Sequence, residues 1–200
     1  MKNSIYLYFL FIPIFIYCQE NQIIIDGKFQ DWQNIELIDD SINDNEPGLD
    51  FTSISITNDN KYLYIKFTTT DEIDLMDSGP NGESLYNTVI FIDTDNNNKT
   101  GYVPGYNPNI GSELGVFLNQ RYVWNNISNP NIQISLYDIG FFSAPTVTSN
   151  EFEIAIDLDA QYDGENLFPN QEIKIQLKDL ISGDEIPNIN SEIIYTLNSN

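Results

Sequence analysis

The chain of 200 residues contains no histidine and one cysteine. Without imidazole it lacks the side chain that most often serves as general base near neutral pH, and with it the commonest transition-metal ligand. Ser-His-Asp, Cys-His and zinc-hydrolase chemistry are excluded on that ground. Basic residues are scarce too: 8 Lys and Arg stand against 30 Asp and Glu, a formal net charge of −22. Nucleic-acid phosphates and anionic membrane surfaces both demand the cations that this chain mostly lacks. Helical periodicity is missing throughout, and no apolar run after the first eighteen residues is long enough to cross a bilayer as a transmembrane segment.

The N-terminus reads as a targeting segment. Lys2 supplies a positive start, Ile5 to Tyr17 is an almost unbroken apolar run of 13 residues, and Cys18-Gln19 is where the character turns polar. Residues 1–18 are expected to be a signal peptide, and the protein to be secreted or held at the cell surface. Cys18 also admits lipid attachment at a new N-terminus, but Ile16 and Tyr17 are not the small residues that such processing wants, which favours ordinary cleavage. Residues 19–200 then form a single domain without cysteine or disulfide, dependent on its core and on any metal it binds.

What is present is period-two alternation. Ser53 to Thr57 and Lys61 to Phe67 read as a hairpin around Asn58-Asp59-Asn60, with further strands at 23–25, 87–92, 114–119, 132–137, 152–158, 173–177 and 192–197. Phe152, Ile154, Ile156 and Leu158 alternate with Glu151, Glu153, Ala155, Asp157 and Asp159. Ile173, Ile175 and Leu177 likewise alternate with Lys174, Gln176 and Lys178. The acids and lysines are expected on wet outer faces as cross-strand pairs of little energetic weight. Short strands with one-sided polarity and Asn, Gly or Pro turns predict an all-β fold, an antiparallel β-sandwich of jelly-roll or immunoglobulin-like type.

One segment carries chemistry. The apolar run Ile90-Phe91-Ile92 leads into Asp93-Thr94-Asp95-Asn96-Asn97-Asn98-Lys99-Thr100-Gly101-Tyr102. Oxygens at Asp93, Asp95 and Asn97 alternate with non-ligand residues, so a curled loop can aim them, with a backbone carbonyl near Lys99, at one calcium ion. Glu113, at the start of the next apolar run, is a candidate fifth ligand. The loop lacks the EF-hand's Gly at the sixth position and Glu at the twelfth, which excludes a calmodulin-like sensor. The competing reading is a solvated Asn-rich turn. Directly after it, Gly101 to Asn109 carries Tyr102 and Tyr106, suited either to face a ligand or to cap the sandwich.

In the same order along the chain, Ile25-Asp26-Gly27 with Asp31-Trp32, then Leu49-Asp50-Phe51, Thr57-Asn58-Asp59, Tyr62 to Ile65, Phe91 to Asp95 with Thr100-Gly101-Tyr102, and Ile110 to Glu113 resemble family 9 carbohydrate-binding modules and their DOMON-like relatives. The resemblance runs from Ile23 to Leu197 and implies a calcium-stabilised sandwich that commonly binds a glycan or polysaccharide. Such modules stack sugars on aromatic rings. Trp124, in Arg121-Tyr122-Val123-Trp124, is the candidate platform, with Tyr122 beside it and Arg121, Asn125 and Asn126 as candidate donors; a core plug is the alternative for Trp124. Trp32 is read as structural. The haem-binding branch is disfavoured because its usual Met and His axial pair cannot be built.

Three readings follow. The first is a non-catalytic exported binding module with glycan as partner and calcium as structural ion. A glycosidase built from carboxylates alone is the second, with Glu153 in the acidic row as its candidate, although a wet strand face lacks the desolvation that general acid work requires. The third is a structural or adhesion domain, or an accessory domain of a surface complex, that docks to a protein or partner enzyme.

Overall fold

The computed structural model describes residues 22–44, 47–77, 86–127, 131–188 and 190–198; residues 1–18, which carry the export expectation, lie outside these. The strands in chain order are β1 (Ile38–Asp39), β2 (Phe51–Asn58), β3 (Tyr62–Ile73), β4 (Thr88–Asp93), β5 (Leu114–Phe117), β6 (Tyr122–Asn125), β7 (Ile132–Ser135), β8 (Phe142–Ala144), β9 (Ser149–Asp157), β10 (Gln161–Tyr162), β11 (Glu165–Asn166), β12 (Glu172–Asp179), β13 (Glu185–Ile186) and β14 (Ile193–Thr196). They form a first sheet in the order β1-β2-β3-β9-β8 and a second in the order β13-β12-β4-β5-β6-β7, with β14 also paired to β12; β10 and β11 make a separate hairpin. The pairings are antiparallel.

The inward positions of both sheets join in one core. Phe67 holds the centre of the first sheet's inner face, 5.8 Å from the Phe51 ring edge-on and 5.5 Å from the Phe152 ring. Ile90, Ile92, Leu114, Val116, Ile173, Ile175 and Leu177 of the second sheet close the same cluster. Burying each such side chain stabilises the fold by about 1.5–3 kcal/mol, which is how a chain with no disulfide among its described residues holds together. The architecture is the all-β antiparallel sandwich that the alternation predicts.

Local expectations differ from the structure in instructive ways. Residues 23–25 form no strand, whereas Tyr122–Asn125 does. Leu136–Ile139 is a 3₁₀ turn, capped by Ser135 and Asp138 through a capping box, instead of the end of a strand. The acidic and lysine rows are only partly wet, with Asp159 exposed, Glu151 and Asp157 half-buried and Glu153 buried. On the first sheet, residues 23–35 fold back over the outer face, where Ile23 and Trp32 pack on Tyr64 and Ala155. Glu153 is 0% exposed there; it accepts hydrogen bonds from the Asp26 and Gly27 N–H groups at 2.7 and 2.6 Å and from Trp32 Nε1 at 2.9 Å. On the second sheet, Lys174 and Lys178 are largely covered, Lys178 pairing with Glu185 at 2.7 Å. Alternation tells which residues turn away from the core. It does not tell whether another segment of chain covers them.

Candidate functional site

The outward face of the second sheet is ruled into rows by strand register. Asp93 lies opposite Lys174; Gln176, Phe91, Gly115, Trp124 and Gln133 form the next row; Lys178, Val89, Phe117, Tyr122 and Ser135 form the third. Half of this face is closed. Residues 102–110 cross it, tied down where Tyr102 and Ser112 exchange backbone hydrogen bonds of 2.7 and 2.8 Å. The buried Asn107 amide holds the far end, donating to Gln176 Oε1 at 3.2 Å and to the Ser191 carbonyl at 2.9 Å. Ile110 packs on Val89 and Phe91 beneath.

At one end of that face Asp93, Asp95 and Glu113 each offer a carboxylate oxygen within 4.8 Å of the others. Both Asp93 oxygens accept backbone N–H groups, from Asn97 at 3.0 Å and Gly111 at 3.1 Å, which curls the loop. Asn96 takes a left-handed φ of 53°, a conformation Asn tolerates, to complete the curl. Two glycines allow the next segment to press against it. A Cβ on Gly111 would lie 2.4 Å from the Thr100 carbonyl oxygen, and one on Gly101, at φ 67°, would lie 2.6 Å from Glu113 Oε1. The loop and the Glu113 segment are thus in contact along their backbones.

Glu113 is the unusual member. It is 3% exposed, and one oxygen, Oε2, accepts the Thr94 N–H at 2.9 Å. The other, Oε1, is buried without a hydrogen-bond partner. Burial, reinforced by Asp95 and Asp93, pushes its carboxyl up to about 7. Lys174 Nζ stands 3.6 Å from Asp93 Oδ2. Three carboxylates against one ammonium leave two uncompensated negative charges when all are ionised. An all-oxygen set with that balance fits a hard divalent cation.

The remaining predicted ligands sit differently. The side chain of Asn97 accepts the Lys99 N–H at 3.2 Å, and its carbonyl accepts from Thr100 N at 3.1 Å, so Asn97 and Lys99 share a local turn. Asp95 is braced by the Thr100 hydroxyl, 2.9 Å from Oδ2.

Beyond the covering loop the face is open and aromatic. Phe117 and Tyr122 stack at 4.8 Å, and the Trp124 ring meets Tyr122 edge-on at 6.0 Å. Trp124 is 36% exposed and turned away from the core, which overturns its reading as a core plug. Opposite it, Gly115 leaves the space beside the indole free of a side chain, and the exposed Gln133 borders the other side. Tyr102 stacks on Phe91 at 6.1 Å and is half exposed. The Tyr106 ring lies under Lys178 Nζ at 4.1 Å, and burial raises its phenol pKa. Arg121, at φ 58° in the β5–β6 turn, donates through Nη2 to the Met76 carbonyl at 3.0 Å.

Asn125 and Asn126 are spent on the protein. Asn125 is buried and accepts from Ile127 N at 3.0 Å. Asn126 donates from its side chain to the Ser112 carbonyl and from its backbone to the Glu113 carbonyl, at 2.9 and 2.8 Å. This couples the end of the Trp124 strand to the carboxylate cluster. Phe117, Gly115 and Gln133 went unnoticed in the sequence, since only pairing across three strands places them around Trp124.

A second acidic group, Asp40, Asp44 and Asp184, also brings carboxylate oxygens within 4.8 Å of one another. Burial pushes Asp40 and Asp184 each up to about 6. Asp184 accepts the Phe51 N–H, and Asn188 donates to Asp40 at 2.9 Å.

No family model matches the chain, and no curated protein does. Among solved structures it is similar to a family 9 carbohydrate binding module from Caldicellulosiruptor kristjanssonii. The form in complex with glucose shares 15% identity over 79% of this chain and 73% of that one, with a TM-score of 0.46. The form in complex with cellotriose shares 15% identity over 87% and 80%, with a TM-score of 0.47.

Proposed function

We propose that this protein is an exported, non-catalytic glycan-binding module whose second sheet carries the binding face and whose Asp93, Asp95 and Glu113 cluster holds a structural calcium ion. The observation that carries the glycan reading is the open aromatic face at Trp124. An indole one-third exposed, edge-on to Tyr122, which itself stacks on Phe117, and flanked by Gly115 and Gln133, offers a flat apolar surface with an amide at its rim. The apolar face of a pyranose fits such a ring, and hydroxyls at its edge bond the neighbouring amide. Tyr102, half exposed on the covering loop, borders the same side of the sheet. The sequence resemblance points the same way, and export rests on the apolar run from Ile5 to Tyr17.

Calcium is supported by the unpartnered Glu113 Oε1. A buried carboxylate oxygen without a donor costs about 1–3 kcal/mol, which a bound cation removes. Asp93, Asp95 and Glu113 supply oxygens, and the loop carbonyls and Asn97 lie close enough in sequence to add to them. The ion's contribution is to fix the segment from 93 to 113 and, through Asn126, the end of β6 that bears Trp124.

A carboxylate-only glycosidase loses its candidate acid. Glu153 lies under residues 23–35 with its oxygens occupied by three donors, out of reach of a polysaccharide. The test is a glycan array read with wild type and Trp124→Ala. Binding that Trp124→Ala abolishes, at an unchanged melting temperature, is expected. Capture of a protein partner through this face with no glycan bound would overturn the proposal in favour of an adhesion or accessory domain.

A further inference from the structure

The first sheet has an opening of its own. Next to residues 23–35, whose Ile23 and Trp32 cluster also takes in Tyr62, a cleft of about 330 Å³ lies between the outer face of β3, β8 and β9 and the 3₁₀ turn that follows β7. Four rings line it, Tyr62, Tyr137, Phe142 and the partly buried Phe141. Tyr62 and Phe142 meet edge-on at 6.0 Å, Phe142 being 54% exposed, and Tyr137 projects from the turn at 89% exposure. Neither exposure is explained by the fold, since the core is complete without them.

The cleft is built with some care. Gly140 closes the 3₁₀ turn at φ 57°, and a Cβ there would lie 2.6 Å from the Asp157 Cβ. Glycine therefore lets the turn carrying Tyr137 press against β9. Asp138 and Asp157 supply carboxylates to the lining, each anchored by one oxygen: Asp138 Oδ2 accepts the Ser135 N–H at 2.8 Å, and Asp157 Oδ1 accepts the Asp159 N–H at 2.9 Å. The other oxygen of each accepts no hydrogen bond among the described residues. Lys61, outside the lining but close enough to feel Asp157, holds its Nζ 5.0 Å from the centre of the Tyr62 ring.

Charge decides the class of ligand. An acidic ligand is repelled by Asp138 and Asp157. A cationic one is opposed by the nearby Lys61, which already holds an ammonium over the Tyr62 ring. A neutral polyol suits all three groups, its hydroxyls donating to the carboxylates and accepting from the lysine while its C–H faces lie on the rings. The volume is at the lower end of ligand clefts and has room for one or two sugar rings. We infer that the Tyr62, Tyr137 and Phe142 cleft is a second, neutral-saccharide site. Tyr62 and Phe142 point outward from the first sheet, whereas Trp124 points outward from the second, so one straight glycan chain cannot lie on both. One molecule then bridges two chains. The bridging rests on the glycan reading of the Trp124 face; the cleft does not.

The test uses the purified protein on a panel of short neutral gluco-, manno-, xylo- and galacto-oligosaccharides, with Trp124→Ala, with Tyr137→Ala/Phe142→Ala, and with all three changes. Both exposed rings can be removed without unfolding, and Tyr137→Ala alone serves as a second variant. Each site variant is expected to keep one site, with stoichiometry falling from two to one and affinity for the altered site dropping about tenfold or more. Wild type should agglutinate beads coated with the best-bound sugar, and neither site variant should. A Tyr137→Ala/Phe142→Ala protein that binds and agglutinates like wild type overturns the cleft and leaves the Trp124 face standing. Loss confined to that double variant overturns the Trp124 face and leaves the cleft standing. Saturable binding of tetramethylammonium in the cleft, with no oligosaccharide bound there, would make it a cation cage and overturn the proposal.

Discussion

Two glutamates, Glu153 on the first sheet and Glu113 on the second, are both turned away from the core and both buried under a loop. Glu153 has three donors for its two oxygens, supplied by the segment that covers it. Glu113 has one backbone donor, on Oε2, and its buried Oε1 has no hydrogen-bond partner, while Asp93 and Asp95 stand close by. The first arrangement is self-sufficient: a buried charge fully paired to protein fastens one segment to another. The second leaves one buried oxygen unpaired, which is what the proposed calcium ion would satisfy. Burial of an acid thus says little by itself. What decides between a structural fastening and a ligand site is whether the covering chain brings enough N–H groups.

The sharpest way to break that comparison is Glu153→Gln. The amide still accepts from Asp26 and Gly27, but its NH₂ then opposes the Trp32 N–H, so a loss of about 3 kcal/mol in chemical denaturation is expected, the same with calcium or chelator. A calcium-dependent loss would make Glu153 part of a cation site and erase the distinction. Next in size is the calcium linkage at Glu113. At a hundredfold excess over Kd, calcium should stabilise wild type by about 2.7 kcal/mol, and Asp95→Ala should abolish the gain. In chelator, Glu113→Gln should be neutral or stabilising, because it removes an unpaired buried charge. No calcium response in thermal unfolding of either protein would reduce the loop to an ordinary turn.

Protonation should partly replace the ion. Glu113 titrates in the folded state at about 7, and Asp40 and Asp184 at about 6, all above their ordinary values. The folded state therefore holds these protons more tightly than the unfolded chain. Their contribution is complete below the unfolded carboxylate range and is lost as pH rises through 6 and 7. Melting in chelator should accordingly be higher near pH 5 than near pH 8, and calcium should narrow the difference; melting that rises with pH in chelator would contradict the assignment. The smallest effect concerns the open half of the second sheet. Trp124→Ala should change stability by about 0.5 kcal/mol or less, since the indole lies outside the core. A larger fall would mean that the ring supports Tyr122 and Phe117 structurally.

The strand pattern was largely legible. The hairpin of β2 and β3 and the alternation of β9 and β12 follow from period-two patterning, because a strand with one face in a core repeats apolar residues every second position, and the end of β4 at Asp93 follows from a continuous apolar run meeting the Asp- and Asn-rich loop. Tyr122–Asn125 was not read as a strand, since its outward members are aromatic and mask the alternation. The Asp-rich loop announced itself by spacing. The second acidic group did not: Asp40, Asp44 and Asp184 are far apart in the chain and share no motif.

From its sequence alone this chain was bound to be all-β and without histidine chemistry, because composition and alternation are local properties that each strand carries by itself. Only the tertiary structure decided which outward faces stay open. Residues 23–35 close most of one sheet and residues 102–110 half of the other, and the order of strands gathers Gly115, Trp124 and Gln133 into one row and Tyr62, Phe142 and Tyr137 into one cleft. Coverage and cross-strand neighbours depend on contacts between distant segments, and no local pattern encodes them.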